Sequence, residues 1–270
     1  MTPQPWSDKN IPEQRGKLAL ITGGNSGIGY EAALALAGKG AHIILAVRSA
    51  DKGLAAAAAI QRVHPGALVE AMELDLSDLA SIRTFARIFQ ERFAALPLLI
   101  DNAGVMALPY RRTRDGFEMQ FGTNHLGHFA LTGLLLPTIL ATPQARVVVV
   151  SSGMHASGRI DFDNLDGARS YHPWDAYSQS KLANLLFAYE LERRFKATGV
   201  NALAVACHPG YAATNLQATG SRMSGSRVRE LLFAVANRLV AQSAAMGALP
   251  TLYAATSSEV QGGEYIGPKG

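Results

Sequence analysis

Cysteine is almost absent from these 270 residues: Cys207 stands alone. An intramolecular disulfide is therefore impossible and no cysteine cluster is available for zinc, which fits a reducing compartment. Long hydrophobic runs are missing too. No stretch of 18 uninterrupted apolar residues occurs, so a membrane-spanning helix is not expected. Residues 1–16 are polar, carry three prolines and lack an apolar h-region, so this extended leader reads as neither signal peptide nor membrane anchor. A soluble, cytoplasmic protein is the expectation. The seven histidines are scattered; His125 and His128 can share a helix face, but without a third ligand no metal site is expected. Excess charge is small, at +4. The basic residues fall in three groups, Arg111, Arg112 and Arg114, then Arg193, Arg194 and Lys196, then Arg222, Arg227 and Arg229, none interleaved with aromatics. They read as solvated faces and argue against nucleic acid, while a mildly basic chain suits a phosphorylated cofactor.

What is present is apolar sequence in a regular rhythm. At 48% hydrophobic, the chain can bury one large core, and a single domain from 17 to 270 is expected. Apolar β-branched runs at 17–21, 42–47, 68–74, 98–101, 146–150 and 201–206 alternate with helical patterns at 27–39, 50–64, 79–93, 117–140, 176–196 and 243–255, with a last strand near Tyr265 and Ile266. Such alternation predicts an α/β fold, a parallel sheet covered by helices on both faces. Ligands bind such sheets beyond the carboxyl ends of the strands, where the strand order reverses. The candidate groups sit at those ends.

Thr22, Gly23, Gly24, Asn25, Ser26, Gly27, Ile28 and Gly29 join the first strand to the first helix. Small residues let the backbone approach a pyrophosphate at a helix N-terminus; the plainer reading is a tight turn. Arg48 ends the second strand, where a site for NAD would place a carboxylate; a guanidinium there suits the 2′-phosphate of NADP(H). Asp75 and Leu76 close the third strand, the carboxylate either accepting from an adenine amino group or capping the next helix. Asn102, Ala103 and Gly104 follow the fourth strand, as a ribose-side passage or a plain turn. Asn124 lies inside a helical stretch, where its side chain either distorts the helix and holds a water or faces solvent. Ser151 and Ser152 end the valine strand, offering a hydroxyl to a substrate carbonyl or capping the next segment. Tyr177 and Lys181, four apart on an amphipathic helix, emerge from one face, and an ammonium beside a phenol favours the phenolate.

Taken in order, Thr-Gly-x-x-x-Gly-x-Gly at 22–29, Asn-Ala-Gly at 102–104, Asn124, the double serine, Tyr-x-x-x-Lys at 177–181, and Pro209-Gly210 with Thr214 resemble the short-chain dehydrogenase/reductase family. The segments 121–129, 157–160 and 251–253 are similar more narrowly to its retinol dehydrogenase and WW-domain oxidoreductase branch. The resemblance implies a doubly wound Rossmann sheet and hydride transfer between a nicotinamide and an apolar carbonyl or alcohol. It implies Tyr177 as general acid or base, Lys181 lowering its pKa and holding the ribose, Ser152 polarising the carbonyl, with Ser151 still open, and Asn124 anchoring a water. Pro209, Gly210 and Thr214 would line the nicotinamide, and a homodimer or homotetramer is implied as well. The 24 residues between Ser152 and Tyr177 exceed those of compact members. With Tyr171, His172, Pro173 and Trp174 they form either a substrate wall or a partner-binding loop. Residues 211–242 fall where the family places its substrate lid. The alternative from another class is a catalytically silent NADP(H)-binding sensor or scaffold; a nucleotide-sugar epimerase or dehydratase is disfavoured by the glycine pattern.

Overall fold

The structure is a computed structural model and describes residues 6–210 and 243–268. Residues 211–242, with the expected lid and Thr214, lie outside the described residues, as do residues 1–5 of the leader.

Most of the strands are apolar runs too short for a helix. β1 (Leu18–Thr22), β2 (His42–Val47), β3 (Val69–Glu73), β4 (Leu98–Asp101), β5 (Ala145–Val150), β6 (Ala202–Cys207) and β7 (Tyr265–Ile266) form one parallel sheet in the order β3-β2-β1-β4-β5-β6-β7. The strand order reverses between β1 and β4, where Ile21 pairs with Leu45 on one side and Ile100 on the other.

Successive side chains leave a strand on opposite faces, so the sheet feeds two cores. Ile21, Ile43, Leu45 and Val148 pack with Leu36, Ile60 and Leu252 on one face. Leu20, Ile44, Leu99 and Val147 pack with Phe85, Phe89, Leu131 and Phe195 on the other. The helices supplying the first face are α1 (Gly27–Gly38), α2 (Ala50–Val63) and α7 (Ala244–Thr256). The second face is covered by α3 (Leu79–Arg92), α5 (Gly127–Leu140) and α6 (Pro173–Thr198). Their ends follow local chemistry. Ser49 and Asp78 accept backbone N–H bonds at the starts of α2 and α3, and Gly199, at φ 67°, ends α6 in the left-handed conformation that glycine adopts without steric cost.

The sequence pattern predicts continuous helix over residues 117–140, and the structure divides it. A short turn, α4 (Met119–Phe121), runs into a π-helical turn, Gly122–Leu126, before α5 begins. The N–H of Gly127 reaches the carbonyl of Gly122, five residues back. No helix among the described residues is long and apolar enough to cross a membrane.

Candidate active site

The glycine turn is held by side chains from the neighbouring strand end. Thr22 Oγ1 accepts from the backbone N–H groups of Asn102 and Ala103, each at 2.9 Å, and Asn102 Nδ2 donates to the carbonyl of Thr22 at 2.8 Å. Gly23 has φ 66°, and a Cβ on Gly29 would stand 2.5 Å from Asn102 Nδ2 and 2.7 Å from the Gly23 carbonyl. Glycine is required at both positions, once for conformation and once for space. Ser26 precedes α1 without a side-chain hydrogen bond to its first turn, which leaves the N–H groups that follow Asn25, from Gly27 and Ile28 onward, without a capping side chain. A pyrophosphate fits this corner chemically, being an acceptor-rich anion set against unpaired donors.

Arg48 is exposed at the carboxyl end of β2, immediately before the Ser49 cap. β3 ends at Glu73, so Asp75 and Leu76 follow the strand rather than close it. Asp75 Oδ1 accepts from the N–H and hydroxyl of Ser77 at 2.9 and 2.6 Å, which ties it into its own turn. The cap on α3 is Asp78, which accepts from Ala80 and Ser81. Leu76 is buried beneath Gly127. At the end of β6, Gly210 has φ 68° and its N–H reaches His208 Nδ1 at 3.3 Å, next to Pro209.

Tyr177 and Lys181 share a face of α6, as the spacing requires, and both are buried. Lys181 Nζ donates to the carbonyl of Val150 at 3.0 Å and lies 5.9 Å from the centre of the Tyr177 ring. Ser152 Oγ accepts from the N–H of Met154 at 3.2 Å, at the start of the segment that follows β5. Ser151 points the other way, its hydroxyl donating to the carbonyl of Lys181 at 2.7 Å. Of the two serines, it is therefore Ser151 whose hydroxyl is bonded to the backbone of α6.

Asn124 occupies the π-helical turn and is fully buried. Its Oδ1 accepts from the N–H of Val105 at 2.7 Å, while Nδ2 donates to the Val105 carbonyl and to Ser180 Oγ, both at 2.9 Å. Ser180 in turn donates to the carbonyl of Tyr177 at 2.7 Å. The amide thus sits within the π-helical turn and bonds to α6 and to the chain after Gly104. A Cβ on Gly104 would lie 3.2 Å from Asn124 Oδ1 and 3.6 Å from Lys181 Nζ.

Burial governs the titration of this cluster. It drives the Lys181 ammonium down to about 8. It also raises the Tyr177 phenol, with the Ser152 hydroxyl pulling in the opposite direction. The spacing predicts an ammonium that lowers the phenol; in the structure desolvation prevails, and Lys181 is turned to Val150. At the end of β4 the carboxyl of Asp101 is wholly buried, raised to about 7, with Oδ2 accepting from Thr132 at 2.9 Å and Oδ1 without a partner among the described residues. His125 and His128 do not converge on a shared ligand site. His125 Nδ1 lies 3.3 Å from Asn184 Oδ1, whereas His128 faces Thr22 and the carbonyl of Asn124. Burial lowers their pKa values to about 4 and about 3.

The stretch before α6 bonds to the segment after β4, and the first turn of α6 brings an aromatic ring to Tyr177. The Trp174 ring meets that of Tyr177 edge-on, 6.2 Å between centres. Tyr171 donates to the carbonyl of Leu108 at 2.7 Å and accepts from Gln120 Nε2 at 2.8 Å; Gln120 also donates to the carbonyl of Pro173. Arg112 pairs with Asp166 at 3.3 Å, and the Tyr110 and Tyr171 rings meet at 5.2 Å. The exposed His172 stands at the start of α6. The spacing of the sequence motifs shows neither the Gln120 and Tyr171 bonds nor the enclosure of His128. Those contacts join residues tens of positions apart, and only their apolar surroundings hint at burial.

The profile of the short chain dehydrogenases matches residues 17–224. The chain belongs to the short-chain dehydrogenase family. This short-chain dehydrogenase is 50% identical over 195 residues to mouse retinol dehydrogenase 11, a match covering 72% of the chain but 61% of that protein's own length. It is 40% identical over 257 residues to zebrafish polyprenol dehydrogenase, covering 94% of the chain and 78% of the relative. Among solved structures, an uncharacterised protein of Mycobacterium paratuberculosis superposes with a TM-score of 0.79 at 45% identity, over 98% of this chain and 85% of that one. A short chain dehydrogenase of Escherichia coli CFT073, crystallised with NADPH, gives 0.71 at 21% identity over 97% and 99% of the two chains, a likeness of fold.

Proposed function

We propose that this chain is an NADP(H)-dependent oxidoreductase interconverting an apolar carbonyl compound and its alcohol, with Tyr177 exchanging the proton. The observation that carries the reading is convergence: Tyr177 and Lys181 share a buried face of α6, Ser152 follows the end of β5, and the Asn124 turn bonds to the same helix through Ser180. The nicotinamide supplies or accepts the hydride. The protein's task is then to orient one oxygen and move one proton.

Ser152 and Tyr177 present two hydroxyls to that oxygen. Ser152 holds and polarises it, and Tyr177 donates in reduction and accepts in oxidation. Lys181, driven to about 8 by burial, keeps its charge at neutral pH and can turn from the Val150 carbonyl toward a ribose hydroxyl. Asn124 anchors the relay that returns the proton to solvent. Gly23, Asn25, Ser26, Gly27, Ile28 and Gly29 would hold the pyrophosphate, Asp75 and Leu76 the adenine, Asn102, Ala103 and Gly104 the ribose, and Pro209, Gly210 and Thr214 the nicotinamide side. The exposed Arg48 supports the 2′-phosphate, and the E. coli relative was crystallised with NADPH. Trp174 edge-on to the phenol favours an apolar ligand, in keeping with relatives named for retinol and polyprenol.

A panel of retinoid, steroid, quinone and simple aldehyde substrates, followed by NADPH absorbance, tests the assignment. Tyr177→Phe is expected to retain NADPH binding and lose turnover by roughly 10²- to 10⁴-fold. Undiminished turnover in that variant would remove the proposed acid.

A further inference from the structure

We infer that His128 is a positioning residue that ties the nucleotide turn to the Asn124 turn through one directional hydrogen-bond chain. The ring is 1% exposed and bonded at both nitrogens, Nδ1 to the carbonyl of Asn124 at 2.9 Å and Nε2 to Thr22 Oγ1 at 2.8 Å.

The direction of every bond follows from donor and acceptor chemistry. A carbonyl only accepts, so Nδ1 carries the proton. In a neutral ring Nε2 must then accept, and the hydrogen it receives is that of Thr22. This is consistent with the two other bonds at Thr22 Oγ1, where it accepts from the N–H groups of Asn102 and Ala103. The one competing acceptor for its hydrogen, the carbonyl of Ile100, lies farther off at 3.4 Å. Burial lowers the His128 pKa to about 3, and the positive charge of Lys181 adds to that. A neutral ring is therefore the form that fits: protonation would set a second N–H against the Thr22 hydroxyl.

The chain runs from the Asn102-Ala103 backbone through Thr22 and His128 to the backbone of Asn124, the residue whose amide holds Val105 and Ser180. It crosses the crevice where β1 and β4 part. Movement of the glycine turn is transmitted to the π-helical turn, and the reverse holds. A phenylalanine would fill the same space and join nothing.

This inference rests on the reading that NADPH occupies that crevice, and two measurements keep the two separable. The first needs no ligand. Long-range ¹³C–¹⁵N correlations on the ring are expected to show a neutral Nδ1–H tautomer between about pH 5 and 9. An Nε2–H tautomer, or protonation within that range, overturns the chain. The second is NADPH affinity, titrated by its own fluorescence. His128→Gln can accept from Thr22 and donate to Asn124, and is expected to bind within about threefold of the native chain, whereas His128→Phe binds roughly tenfold more weakly. Thr22→Val, which also strips the acceptor from the Asn102 and Ala103 N–H groups, is expected to bind at least as weakly as His128→Phe, with the double variant no weaker than Thr22→Val alone. Phenylalanine binding as well as glutamine, or additive losses, overturns the inference, and Thr22→Val carries the test if His128→Phe does not fold. A native chain that does not bind NADPH refutes the cofactor assignment instead, leaving the tautomer to judge the hydrogen-bond chain.

Discussion

Asp101 ends the central strand β4 with a fully buried carboxyl whose Oδ1 has no partner among the described residues. Thr132 supplies the one bond, to Oδ2. Burial lifts the group from the usual 3.8 to about 7, so the folded protein keeps a proton here that the unfolded chain has released. The sign follows. The folded state binds more protons than the unfolded state throughout that interval, so stability contributed by this residue falls as pH rises, and is gone above about 7. Between about pH 5 and 7 the loss amounts to about 1.4 kcal/mol for each pH unit, or about 3 kcal/mol in all. Asp101→Asn keeps the shape and the Thr132 bond but cannot ionise. Urea unfolding of both proteins across that range isolates the effect, because every other titrating group is common to the two. The native protein is expected to lose about 3 kcal/mol more than the variant between pH 5 and 8. Parallel stability profiles would show that Asp101 is solvated or paired, and the argument would fail.

Gly29→Ala sets a methyl group against Asn102 Nδ2 and the Gly23 carbonyl, and is expected to weaken NADPH at least tenfold while leaving the far core intact, as fluorescence titration and thermal unfolding together will show. Arg48→Ala is expected to weaken NADPH far more than NADH; equal losses in the two titrations would show that Arg48 does not read the 2′-phosphate. His128 is neutral in the folded protein and protonated in the unfolded chain below its ordinary value of 6.5, so its contribution is lost as pH falls from there toward about 3. His128→Gln should flatten that part of the acid unfolding curve.

The strand and helix pattern of this chain was legible because most strands are short, apolar and bounded by polar or glycine-rich sequence; β2, β4 and the final Tyr265–Ile266 strand fall where the residues place them. The candidate site was legible where it depends on local spacing, as for Tyr177 and Lys181, or on a strand end, as for the glycine turn. Periodicity did not foretell the π-helical turn. Its residues continue the helical pattern on either side, and the partner of the Asn124 amide, Val105, stands nineteen residues away, outside the reach of any periodicity. Nor could spacing weigh burial against charge at Tyr177. The ammonium is where the pattern puts it, but the carbonyl it chooses belongs to another strand. Asp75 offered two local readings, and the helix cap went to Asp78 because that residue stands one position before α3.

The bonds from Tyr171 to Leu108 and Gln120, with the Arg112 and Asp166 pair, weld the loop ahead of α6 to the segment following β4. Anyone wishing to graft a new ligand preference onto this scaffold should transplant those two stretches as a matched set. A chimera carrying either one alone inherits a phenol with nowhere to donate, or a backbone carbonyl stripped of its donor, in the seam between them.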